Sequence, residues 1–192
     1  RAALSFRLAF SLASLILFVG LGATFAIADT ALPGDKLFAL DQLQEKAILK
    51  LPLSQQTKAN IRANIVAERV SELNKIQDLP DKEELKVKAV GATEQSLSRA
   101  IEDITENREK LRTSGKIKQA QKLNNALDRL EKLADEQEKQ TDRIIKNISN
   151  EKLREEADAK LEKIRQVKLK VRLELMEAMD DQDLEKNIRE RD

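Results

Sequence analysis

AQKLNNALDRLEKLADEQEKQTDRIIKNI, residues 120–148, decides the fold. Ala120, Leu123, Leu127, Leu130, Ala134, Gln137, Thr141, Ile144 and Ile148 recur in alternating steps of three and four, the spacing that keeps side chains on one face of a helix. Apart from Ala126, Leu133 and Ile145, the remainder of the stretch is Lys, Glu, Asp, Arg, Asn and Gln, which suits the solvated side of the same helix. Neither Pro nor Gly occurs anywhere between positions 116 and 192, so nothing in that region forces the backbone out of helical geometry.

The pattern extends in both directions. Before it, Val87, Val90, Glu94, Leu97, Ile101, Ile104, Arg108 and Leu111 form a second heptad seam with two charged interruptions, closed by Ser114-Gly115. After it, Asn147-Ile148-Ser149-Asn150 reads as a corner, with Ser149 or Asn150 as cap and Glu151 favourable in the first turn. The last helix carries Leu153, Ala157, Leu161, Ile164, Val167, Val171, Leu175 and Ala178. Breaks near 80, 114 and 149 divide this part into segments of matched length, each around 50 Å at helical rise. Matched lengths and short corners favour antiparallel neighbours. Each unit is a single helix without residue-level self-similarity, which favours a hairpin-like bundle over a solenoid.

Nearer the N-terminus, prolines set the boundaries. Asp78-Leu79-Pro80-Asp81 precedes the first long segment, and Pro52 separates two shorter amphipathic helices. The first is expected from about 35 to 50, with Leu37, Leu40, Leu43, Ala47 and Ile48 on one side. The second is capped by Ser54 and carries Ile61, Ile65, Val66, Val70, Leu73 and Ile76. Pro33, Gly34 and Asp35 have the chemistry of a turn: fixed φ, permitted positive φ, and a capping carboxylate.

Upstream lies LAFSLASLILFVGLGATFAIA, residues 8–28, 21 positions without a charge. A helix of that length covers roughly 30 Å, the hydrocarbon thickness of a bilayer. Arg1 and Arg7 precede it and Asp29 follows, an asymmetry that keeps the N-terminus cytoplasmic and sends the rest across. Ala26-Ile27-Ala28 also fits a signal-peptidase site, but the apolar run exceeds the usual 7–15 residues of a cleaved signal, so a retained anchor is the expectation. Position 1 is Arg and not Met, which leads us to expect residues upstream. Small residues at Ala9 and Ala13 and at Gly22 and Ala26 permit close helix approach, although such pairs are common by chance in Ala-rich segments and a plain anchor is the better reading.

Composition narrows the function. Beyond residue 28 there are 33 Lys plus Arg against 34 Asp plus Glu, a balance that disfavours nucleic acid, whose binding needs a net basic surface. Cys, His, Trp and Tyr are absent, which removes disulfides, thiolates, the commonest general base and the usual zinc ligands. No Gly-rich phosphate loop or G-x-S-x-G elbow is present. We therefore expect no enzyme, no cofactor, no metal and no small-molecule substrate. Asp180, Asp181 and Asp183 are calcium-compatible oxygens but lack the loop Gly and terminal Glu of an EF-hand, so a solvated helix end is the better reading. Lys163, Arg165, Lys168, Lys170 and Arg172 form a basic cluster read as a solvated face, with anionic lipid or an acidic partner as the alternative.

The segment ALPGDKLFAL, residues 31–40, the Leu43, Ile48 and Leu51 stripe, and the helix ending AERVSEL at 67–73 resemble a bacterial family of extracytoplasmic domains of unassigned function. Its members start LPGD-x-L-Y/F directly after a membrane helix, and some belong to anti-sigma-factor-like proteins. The resemblance covers roughly residues 30–110 and departs from the family pattern at Lys36, Phe38 and Asp41. It implies placement and no chemistry. Leu53-Ser54-x-Gln56 is also weakly similar to a helix opening of small periplasmic helical stress chaperones.

The expected protein is all-α: a transmembrane signal-anchor over 1–28, the LPGD turn with two amphipathic helices over 29–80, and three long helices over 81–192 forming an elongated antiparallel bundle or coiled coil. It would be a single-pass protein of a bacterial cell membrane, touching lipid through residues 8–28 and exposing the remainder outside the cytoplasm. It would act by contact with a protein partner or by self-association, as a structural subunit of an envelope assembly or the outer part of an anti-sigma-like signalling protein. A periplasmic holdase-type chaperone and a filament subunit with the apolar helix in its core are the alternatives. The seam residues expected to pack, within the chain or against a partner, are Leu97, Ile101, Ile104, Leu111, Leu123, Leu127, Leu130, Ile144, Ile164, Val167 and Val171.

Overall fold

The structure, a computed structural model, describes residues 38–189. The apolar run 8–28 and the turn at Pro33, Gly34 and Asp35 lie outside the described residues. Among the described residues, no helix is long and apolar enough to cross a membrane.

Five helices and no strands make up the described residues. They are α1 (Phe38–Leu49), α2 (Gln55–Ile76), α3 (Glu83–Thr113), α4 (Ile117–Lys146) and α5 (Glu151–Arg189). The chain divides into two compact units between Leu51 and Pro52. Of the first unit, α1 is described; Ile48 is half-buried there, whereas Leu43 and Ala47 are exposed. The second unit is a bundle of α2 to α5, so the second amphipathic helix is part of the same body as the three long ones.

The helix ends follow from local chemistry. Ser54 Oγ accepts the Thr57 N–H at 3.1 Å and caps α2. Asp81, after Pro80, takes a positive φ of 52° in the corner between α2 and α3. Gly115, with φ 71°, is the left-handed residue that ends α3, and Lys116 N–H returns to the Leu111 carbonyl at 2.8 Å. Of the two capping candidates for α5, Asn150 is the one used: its Oδ1 accepts the Leu153 N–H at 3.3 Å.

α3 and α4 form the centre of the bundle. α2 packs against both, α5 packs against both, and α2 and α5 do not meet. Cross-helix pairs give the directions. Asn64 meets Arg129, Thr93 reaches the Arg69 carbonyl, Glu138 meets Arg165 and Lys168, and Arg108 meets Glu174. Sequential helices are therefore antiparallel, while α2 runs with α4 and α3 with α5. Two triangular stacks share the α3–α4 edge, and each buries one stripe of every helix.

That shared edge explains why the α4 seam is covered along its whole length: every one of the nine positions from Ala120 to Ile148 is buried, the polar Gln137 and Thr141 included. Burying Leu123, Leu127, Leu130 and Ile144 stabilises the bundle by about 1.5–3 kcal/mol each relative to exposure. α3 and α5 approach closely at Gly91, where the stem of Lys160 crosses the helix; a Cβ at Gly91 would stand 2.6 Å from Lys160 Cε.

One contact ties the two ends of the long hairpins together. The Glu83 carboxylate, at the start of α3, accepts the Ser149 N–H at 2.7 Å and the Asn150 N–H at 3.1 Å, satisfying donors at the α4–α5 corner. These backbone bonds hold the Glu83 carboxyl below the usual carboxylate range. A carboxylate with a depressed folded pKa adds stability that is present above its unfolded pKa of about 4.3 and is lost as pH falls through the lower folded value. Glu83→Gln should therefore be less stable than the parent at neutral pH, with a shallower loss of stability on acidification below about pH 5. Urea titrations at stepped pH check this, and coincident curves would show that Glu83 does not hold the corner.

Candidate functional site: the outer face of the longest helix

The expected seam residues are packing residues of the bundle. Leu97, Ile101, Ile104, Leu123, Leu127, Leu130, Ile144, Ile164 and Val171 are buried, and Leu111 and Val167 are half-buried. They face other helices of the same chain. The surface on which a partner could act must be sought elsewhere.

The basic cluster on α5 is largely engaged within the chain. Arg165 Nε donates to Glu138 Oε1 at 3.0 Å, Lys168 Nζ lies 2.6 Å from Glu138 Oε2 and 2.7 Å from Asp135 Oδ1, and Arg172 Nε donates to Glu131 Oε1 at 2.7 Å. These bonds form a ladder between α4 and α5. The Lys168 ammonium, hydrogen-bonded to both acids, holds the Asp135 and Glu138 carboxyls below their ordinary range, and the two carboxylates raise Lys168 in turn. Exposed rungs of this kind contribute about 0.2–1 kcal/mol each and set register more than stability. Lys163 and Lys170, on the remaining side, are exposed.

Beside the ladder, with Arg165 four residues before Leu169 and Arg172 four before Met176, runs an open apolar stripe. Leu169 is 59 % exposed, Leu173 53 %, Met176 63 % and Met179 65 %. Leu169, Leu173 and Met176 are spaced four and three apart, the same rhythm as a buried seam, yet no helix of the unit covers them. α5 thus has two apolar stripes: Ala157, Leu161, Ile164, Val171 and Ala178 face the bundle, and the second stripe faces solvent. Lys163, Lys170 and Glu177 recur every seven residues along one flank of the outer stripe. A row of large apolar side chains rimmed by charge is the usual form of a helix-docking surface.

A second group of interest is buried and polar. Arg69, 1 % exposed, donates through Nη1 to Glu72 Oε1 at 2.7 Å, and Glu72 is itself 6 % exposed. Both lie on α2 in the AERVSEL segment. Thr93 Oγ1 of α3 donates to the Ala89 carbonyl at 2.8 Å and lies 3.3 Å from the Arg69 carbonyl. Gln137 on α4 is fully buried, and neither of its amide heteroatoms has a hydrogen-bond partner. These groups could fix register between α2 and the α3–α4 pair, as a polar group inside an apolar seam does in coiled coils. Among the described residues, no cluster of three or more metal-ligating side chains is found.

No protein-family model, curated protein or solved structure matches this chain.

Proposed function

We propose that this is a membrane-anchored, extracytoplasmic helical protein that acts by protein–protein contact, as a structural subunit of an envelope assembly or as the outer part of an anti-sigma-like signalling protein. Residues 8–28 supply the anchor, with the N-terminus cytoplasmic. The observation that carries the contact reading is the outer stripe of Leu169, Leu173, Met176 and Met179 on α5, left open by a bundle that otherwise buries its apolar seams. Exposing four large apolar side chains in one row forgoes burial worth about 1.5–3 kcal/mol per side chain, an arrangement that makes sense when another surface covers them.

Photo-crosslinking in native membranes tests this. A benzophenone side chain introduced at Leu169 or Met176 should give protein adducts, whereas the same probe at the exposed Lys122 of α4 should give few. Adducts to lipid alone, or equal yields at all three positions, would end this reading.

A further inference from the structure

The occupant of the outer stripe can be read from the charges that surround it. Residues 163–172 contain Lys163, Arg165, Lys168, Lys170 and Arg172 and no acid. Residues 173–185 contain Glu174, Glu177, Asp180, Asp181, Asp183 and Glu185 and no base. The helix therefore carries a cationic block and an anionic block that meet at Leu173, in the middle of the apolar stripe. A partner helix that matched this surface would need an anionic block opposite the first and a cationic block opposite the second, with apolar residues where they meet. α5 itself, turned end for end, has that pattern.

We infer that the outer face of α5 pairs with the same face of a second copy of this chain, antiparallel, about a dyad near Leu173. This rests on the contact reading above and names its partner. In this arrangement Leu173 of each copy lies by the dyad, Leu169 and Met176 close over it, and Lys170 of one copy stands beside Glu177 of the other, twice. A parallel pair would set Lys163 and Lys170 level with their own copies and Glu177 with its own, which like-charge repulsion disfavours, since Arg165, Lys168 and Arg172 are already paired with α4 and Glu174 with Arg108. The intramolecular ladder leaves Lys163 and Lys170 exposed, as is Glu177, at 4.0 Å from Arg112. The flank of the stripe thus keeps charges of both signs for such pairing.

The geometry of the bundle suits two tethered copies. Since α2 runs with α4 and Asn64 meets Arg129, Gln55 enters the bundle near the start of α4, the same end at which the second half of α5 lies. The two chains therefore enter their bundles on opposite sides of the dyad, each about ten residues of helix, roughly 15 Å, from Leu173. The patch is short, so pairing is weak in free solution, below the size of a stable interface, and is strengthened when both copies share one membrane.

The chain has no cysteine, which makes the test direct. Full-length protein reconstituted in lipid vesicles, carrying either Lys170→Cys or Glu177→Cys, is oxidised alone and as an equal mixture. The mixture should yield disulfide-linked dimer several-fold above either protein alone, and Leu173→Cys alone should also cross-link. With Leu173→Cys as reporter, Lys170→Glu should lower the yield and adding Glu177→Lys in the same chain should restore it. Dimers formed equally well by each single variant alone would overturn the antiparallel pairing. So would absence of any disulfide dimer while the photo-probe at Leu169 still captures a different protein; that result leaves the contact reading standing. Shielding of Leu173→Cys by anionic vesicles at protein dilutions too low for dimer would overturn both, since the stripe would then face lipid.

Discussion

Replacing Leu127 and Leu130 together by Asp is expected to unfold the α2–α5 bundle. Both leucines are fully buried on α4, one of the two helices that touch all three others. Truncating a buried Leu costs about 2–5 kcal/mol before any charge is considered. Two carboxylates in the same apolar layer add a desolvation penalty of several kcal/mol apiece unless they become protonated. The sum exceeds the roughly 5–15 kcal/mol that holds a typical domain together. Circular dichroism should lose most of its helical signal and limited proteolysis should cut throughout 52–192. The matched control is Leu169→Asp with Leu173→Asp, which makes the same chemical change on the open stripe and should leave both measurements unaltered. Equal behaviour of the two double variants would remove the distinction between the inner and outer faces on which the proposed function depends.

Arg69→Ala carries the second large effect. Its guanidinium is 1 % exposed and bonded to Glu72, so truncation leaves a buried carboxylate without that cation and opens a void where a long side chain lay. Breaking a buried pair from one side costs about 3–5 kcal/mol, whereas replacing both members by apolar residues of similar size is often neutral or stabilising. The expected order in urea titrations is therefore Arg69→Ala well below the parent, and Arg69→Met with Glu72→Leu equal to it or above. A double variant as damaged as the single one would mean that the charges themselves are required, for instance to fix the register of α2 on α3 and α4.

What the sequence disclosed and what it withheld divide along physical lines. The seam of α4 was legible because nine positions in strict three-and-four steps, without Pro or Gly, admit one face and one periodicity. The corners near 80, 114 and 149 were legible because Pro80, Gly115 and Asn150 act on their own backbone, and local chemistry is what a sequence displays. Periodicity says which face is buried and not what covers it. Hence the placement of α2 across the α3–α4 edge, and the link from Glu83 to a corner 66 residues away, required the structure. Arg69 and Glu72 were visible only as part of a motif, although their place beside Val66, Val70 and Leu73 at helical spacing put them on the buried stripe. The seam positions gave packing and not the docking surface, because the stripe of Leu169, Leu173 and Met176 runs beside Val167, Val171 and Leu175 and was masked by them.

The arrangement in which α2 touches α3 and α4 but never α5 has a mechanical consequence. The chain enters the bundle at Gln55, so a pull on the segment before it loads α2 first and reaches the other helices through the α2 surface and the corner that joins α2 to α3. Along that surface Ala59 and Ala63 yield before the bulkier Val66, Val70, Leu73 and Ile76, with the Arg69–Glu72 pair set among the latter. Peeling α2 breaks none of the contacts that α3, α4 and α5 make with one another, since α2 takes no part in them. The bundle is thereby built as a graded clutch: tension on the entering chain can strip one helix while the outer face of α5 stays in position.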